Sequence, residues 1–143
     1  MKRKEIAKEN FLSGKNCAVS VVLAFRDMMR LDEETAAKLS IGYGGGFARQ
    51  RLTCGAVSAM AMVLGAVKSD GKDRKAIYEL IQGACEEFKK RAGSLVCGEL
   101  LSGTAAADTS AVPETRTEEY YKKRPCAELV ELAAEILENI LAE

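Results

Sequence analysis

Apolar residues recur along this chain at the three- and four-residue spacing of helices, and convincing strand-like alternation is lacking. Lys2 to Leu12 reads as a short basic helix, with Gly14 as its stop. Asn16 can cap a helix from Cys17 to about Arg30, and Asp32 one from Glu33 to Ile41 that Gly42 ends. The segment GYGGGFARQR, from Gly42 to Arg51, is too rich in glycine for regular structure. Thr53 can cap the helix that follows, from Cys54 to about Val67. After a turn at Ser69 to Asp73, a long helix from about Asp73 to Arg91 is stopped by Gly93. Ser94 can cap a short helix through Cys97 to about Leu101, and Thr117 can cap the piece TEEYYKK. Pro125 suits the first turn of a final helix that runs to the C-terminus.

Two of these segments predict how the helices pack. Cys54 to Val67 is apolar or small on every side apart from Ser58, which predicts a buried central helix. The last segment is two-faced: Leu129, Leu132, Ala133, Ile136, Leu137 and Ile140 form one stripe, and Glu128, Glu131, Glu135 and Glu138 another. Such a helix covers a bundle or pairs with a second subunit, and a homodimer is expected. The fold class is therefore all-α. The expectation is one helical domain over 1–143, a multi-helix bundle in which a glycine-rich loop leads into the central helix. TAAADTSAVPETR, Thr104 to Arg116, is small and polar and predicts a flexible loop at about 103–116.

Composition narrows the chemistry. With 143 residues, 48% hydrophobic and 29% charged, the chain can bury a sizeable core and stay soluble. Lys plus Arg and Asp plus Glu are both 21, so there is no basic excess to hold nucleic acid or an anionic membrane. No window offers the roughly 18 apolar residues of a membrane span, and the basic start MKRKEIAKENF lacks the apolar stretch of a signal peptide. A cytoplasmic location is expected. There is no His, which removes an imidazole base, a Ser-His-Asp triad and an imidazole metal ligand. The loop Gly44, Gly45, Gly46 lacks the Gly-Lys-Ser/Thr end of a phosphate-binding Walker motif, and no strand precedes it as in a dinucleotide fingerprint.

Five cysteines, an odd number, direct attention to thiol or metal chemistry. No Cys-x-x-Cys pair exists, so any thiol pair or cluster must be assembled by the fold. Cys17, Cys54, Cys97 and Cys126 each fall in the first turn of a predicted helix. Free backbone N–H groups and the helix dipole stabilise a thiolate there and lower its pKa. Lys15, Arg49, Arg51, Lys122, Lys123 and Arg124 lie nearby in sequence and add to the effect. Cys85 is in phase with Ile77, Leu80, Ile81, Ala84 and Phe88, a core stripe, and reads as packing.

Four stretches together resemble the C_GCAxxG_C_C family, small bacterial and archaeal proteins labelled redox-active. NCAVSVVLAF resembles its first element, GYGGGFARQRLTCGAVSAMAMVLG its glycine-rich loop and second, and GSLVCGELL and PCAELVELAAEIL its third and fourth. The resemblance runs from about Asn16 to Leu137 and implies redox chemistry on a small helical fold. Thr53, Gly55 and Ser58 depart from the literal glycine pattern around Cys54 but keep it small.

Three functions remain open. The first is a thiol redox protein, such as a thiol–disulfide oxidoreductase, working with a redox partner that the sequence does not identify. Cys54 is its expected attacker and Cys17 or Cys97 its resolving partner. The second is a metal or iron–sulfur cluster held by Cys17, Cys54, Cys97 and Cys126, four thiolates being the right number. The third is a non-catalytic dimeric helical module in which the cysteines only pack.

Overall fold

A computed structural model describes residues 1–101 and 103–142. Its helices are α1 (Arg3–Leu12), α2 (Cys17–Met29), α3 (Glu33–Ser40), α4 (Gly55–Lys68), α5 (Arg74–Ala92), α6 (Cys97–Leu100), α7 (Thr104–Ala107), α8 (Glu118–Lys123) and α9 (Cys126–Leu141), with a 3₁₀ turn at Ile41–Tyr43. No strand occurs among the described residues; one isolated antiparallel bridge joins Thr53 and Val96. The fold is all-α, as the periodicity predicts, and none of the described helices is long and apolar enough to cross a membrane.

Local chemistry sets several helix starts where the sequence places them. The Asn16 side chain accepts from the Val19 N–H at 2.9 Å, Asp32 from Thr35 at 3.3 Å and Thr117 from Tyr120 at 3.2 Å. Asp73 does the same for α5 by accepting from the Ala76 N–H at 2.9 Å, and Gly93 ends that helix with φ 99°. Two expected caps act otherwise. Thr53 is taken up by its bridge to Val96, and Cys54 becomes the residue that precedes α4. The Ser94 hydroxyl accepts from the Val96 N–H at 3.0 Å in a turn, so α6 starts only at Cys97.

The core lies where α2, α4 and α9 meet, closed by α1 on one side and α5 on another. Val21, Val22 and Phe25 of α2 pack with Met60, Val63 and Leu64 of α4, Phe88 of α5, and Val130, Ala133 and Leu137 of α9. Each large side chain buried here contributes on the order of 1.5–3 kcal/mol. The start of α4 is buried all round, but Ala66 is exposed and Ala61, Met62 and Gly65 are half-covered, because no helix covers that side of its later turns.

The apolar stripe of α9 is consumed inside the bundle, with Leu129, Ala133, Ile136 and Leu137 buried. Three of its glutamates, Glu131, Glu135 and Glu138, reach neighbouring helices, and Glu128 is exposed. Glu138 accepts from the Lys4 N–H at 2.7 Å, and Glu135 pairs with Lys4 at 3.2 Å and Arg91 at 2.7 Å. That helix therefore covers the bundle, one of the two roles its two faces predict.

Candidate functional site: a thiol cavity with an arginine rim

The glycine-rich loop between the 3₁₀ turn and α4 is built from left-handed residues. Gly45, Gly46, Phe47, Ala48, Arg49 and Arg51 have φ of 66°, 73°, 68°, 53°, 64° and 63°. For the four that are not glycine, this conformation costs roughly 1–2 kcal/mol each. Long turn hydrogen bonds hold it: Ala48 N–H to the Gly42 carbonyl at 2.8 Å, Arg49 to Gly44 at 3.0 Å and Leu52 to Gly46 at 2.9 Å. The result directs Arg51 toward Cys97 and Arg49 toward Asp108 and Ser110. A β carbon on Gly46 would stand 2.6 Å from the Cys97 Cβ, so only glycine allows the loop to lie this close.

Four helices deliver the four cysteines. Cys17, Cys97 and Cys126 are the first residues of α2, α6 and α9, and Cys54 immediately precedes α4. The Cys54 N–H donates to the Leu95 carbonyl at 2.8 Å and the Cys97 N–H to the Leu52 carbonyl at 2.6 Å. These two bonds flank the Thr53–Val96 bridge, so residues distant in sequence are tied side by side. Cys17, Cys54, Cys97 and Cys126 all line one cavity of about 620 Å³; Cys85 does not. It lies half-buried on α5 against the core.

Within the cavity Cys17 and Cys126 each stand near all three of the other thiols. Cys17 stands close enough to Cys54 and to Cys126 for like-charge repulsion to raise the pKa of each, and Cys97 does the same to Cys17. Burial, however, is the largest influence on all three thiols. It pushes Cys17 and Cys54 up and takes Cys126 up to about 12. The Gly45 N–H opposes this at Cys17, the Ala56 and Val57 N–H groups oppose it at Cys54, and Arg124 and Arg116 oppose it at Cys126. This overturns the expectation of a low-pKa thiolate at Cys54. The helix-start amides are present, but the sulfur is enclosed by protein, and the loss of water outweighs them.

The neighbouring cations are also placed differently. Arg51 is only 7% exposed, and its Nη1 donates to the Cys97 Sγ at 3.8 Å rather than reaching Cys54. Its Nε donates to the Asp108 carbonyl at 3.0 Å, while its Nη2 is buried without a partner among the described residues. Arg49 pairs with Asp108 at 3.2 Å and donates to Ser110; Arg124 pairs with Glu114 at 3.0 Å. Arg116 donates to the carbonyls of Phe11 and Lys15, each at 3.0 Å, and its guanidinium lies 4.4 Å from the Phe11 ring centroid.

These contacts fasten the segment after α7 across the cavity, where Ala111, Pro113 and Glu114 join its lining. Sequence reading passed over Asp108, Glu114 and Arg116 because their segment looked like plain loop. The available signal was three charged side chains in an otherwise small and polar stretch. Among the described residues, no group of three or more Cys, Asp or Glu side chains converges in an arrangement that could hold a metal ion.

No curated protein and no solved structure matches this chain. The family described as "Putative redox-active protein (C_GCAxxG_C_C)" matches residues 15–140, a span that holds the glycine-rich loop and all four cavity cysteines. On that match, the chain belongs to the C_GCAxxG_C_C family.

Proposed function

We propose that this protein is a thiol-based redox carrier whose cavity cysteines cycle between thiols and a disulfide, with Cys17 as the shared partner. The observation that carries this reading is that four cysteines, at or beside the starts of four separate helices, line one cavity; Cys17 is chosen because it is near the other three and packs directly against Gly55 at the start of α4. Two thiols at that cavity give up two electrons and two protons as a disulfide forms. A disulfide on the redox partner takes up those electrons and becomes two thiols. The description of the family points the same way. Free cysteines suit a reducing compartment such as the cytoplasm.

The test is disulfide mapping by peptide mass spectrometry after anaerobic purification and titration with a small disulfide. The expected product is one intramolecular disulfide that includes Cys17, forms reversibly and leaves Cys85 as a thiol. If only scattered mixed disulfides form, the reading fails. Metal analysis and a visible spectrum on the same sample measure the alternative, a metal or iron–sulfur cluster on the same four cysteines.

A further inference from the structure

The cavity is far more cationic than the chain. Lysine plus arginine balance aspartate plus glutamate at 21 each over the whole sequence. Among the described residues the cavity is lined by Lys15, Arg49, Arg51, Arg116 and Arg124 but by a single carboxylate, Glu114. Arg49 and Arg124 each have a carboxylate partner, and Arg116 is held by main-chain carbonyls and aromatic rings. Arg51 differs. Among the described residues its partners are an uncharged carbonyl and the Cys97 sulfur, and one guanidinium nitrogen is buried with nothing to donate to. A buried cation without a counter-ion is costly, and so is a buried donor without an acceptor. Both costs are relieved if a small shift of the side chain brings that covered nitrogen against an anion in the cavity.

We propose that the cavity binds a small-molecule disulfide that carries an anionic group, with Arg51 anchoring the anion next to Cys97. This inference rests on the thiol reading above and names its substrate class. The volume, about 620 Å³, falls within the roughly 300–1,000 Å³ typical of small-molecule sites. A planar guanidinium with a free N–H edge suits a carboxylate or phosphate oxygen. Because Arg51 Nη1 stands 3.8 Å from the Cys97 Sγ, an anion held there carries the adjoining disulfide toward that sulfur.

The Cys97 thiol loses its proton to solvent, and the thiolate attacks one ligand sulfur. The ligand S–S bond breaks, and one half leaves as a thiolate that solvent protonates. The other half remains bonded to Cys97. Cys17, deprotonated in turn, attacks the Cys97 sulfur, forms the Cys17–Cys97 disulfide and expels the second half as a thiolate. The two protein thiols lose two electrons and two protons, and the two ligand sulfurs gain them.

The test compares two probes on the reduced full-length protein: 5,5′-dithiobis(2-nitrobenzoate), which is dianionic, and 4,4′-dithiodipyridine, which is uncharged at pH 7. The rate at which the intramolecular disulfide appears is followed by acid quench and peptide mapping. Arg51→Gln is expected to lower the anionic-to-uncharged rate ratio at least tenfold, and Arg51→Lys to restore much of it. On the unmodified protein, excess 2-nitrobenzoate, which has the carboxylate but no disulfide, is expected to slow the anionic probe. That competition measures anion binding even if Arg51→Gln fails to fold. If both probes form the disulfide and neither the substitution nor the competitor changes the ratio, the anion site is overturned and the thiol carrier stands. If neither probe forms it, the carrier reading falls and takes this inference with it.

Discussion

Gly55 lies against Cys17 so closely that a β carbon on the glycine would overlap the Cys17 sulfur and stand 2.7 Å from the Tyr43 carbonyl oxygen. The first turn of α4 is thus shaped around the thiol at the start of α2. Gly55→Ala must shift one of the two helices or turn the Cys17 side chain away. Overpacking of this kind costs typically about 1–3 kcal/mol. Urea melts of the reduced protein are expected to show that loss, and disulfide mapping a slower closure at Cys17. Unchanged stability and unchanged closure would contradict the packing described here.

Cys85 and Cys17 should respond in opposite ways to truncation. Cys85 is half-buried against the core and outside the cavity, so Cys85→Ala is expected to cost no more than about 1 kcal/mol and to leave the disulfide intact. Cys17→Ala is expected to abolish that disulfide whatever it does to stability. Thermal melts and mapping on both variants separate the two roles. Loss of the disulfide in Cys85→Ala would return Cys85 to the site.

Alkali provides a third measurement. Burial takes the Cys126 thiol from an ordinary value of 9.0 up to about 12, and Cys17 and Cys54 move in the same direction. Below about pH 9 the thiols are protonated in the folded and the unfolded chain, and their contribution to stability is fully present. Between about 9 and about 12 the unfolded chain binds fewer protons than the folded one, so stability falls as pH rises. The slope is at most about 1.4 kcal/mol per pH unit for each such thiol. Denaturant melts of reduced protein from pH 8 to 10.5 are expected to show the decline, and Cys126→Ala to flatten it. A profile that rises with pH would refute the burial argument.

Asp108 fastens the segment that crosses the cavity. The Ser110 N–H and Arg49 hold its carboxyl down at about 2, so it stays ionised at neutral pH. Asp108→Ala removes the partner of Arg49. Hydrogen exchange at 108–114 is expected to speed up severalfold while exchange in α2 and α9 stays slow. Equal protection in the variant would show that Arg51, Arg116 and Arg124 hold the segment without it.

The parts of this architecture that could be read from sequence rest on local signals. Asn16, Asp32 and Thr117 satisfy amides three residues ahead of them, so their helix starts follow from the residue and its neighbours. Thr53 and Ser94 have the same capping chemistry, but their role is decided by a bridge between Thr53 and Val96, which no local pattern reveals. The same holds at the site. That the cysteines stand at or beside helix starts is local, whereas their meeting in one cavity depends on how α2, α4, α6 and α9 pack. The expected acidity of Cys54 failed because amides are visible in the sequence and loss of water is not. Arg51 lies beside Cys54 in the chain but reaches Cys97, since its left-handed backbone turns the side chain away from its neighbours in sequence.

The left-handed loop also bears on quality control. Phe47, Ala48, Arg49 and Arg51 rarely hold positive φ in a chain free to relax, and here the surrounding helices impose it. The Gly45 amide beside Cys17 and the Arg51 guanidinium beside Cys97 both depend on that backbone, so they are expected only once the helices have packed. On the proposed thiol reading, exchange at this cavity is tied to completed folding.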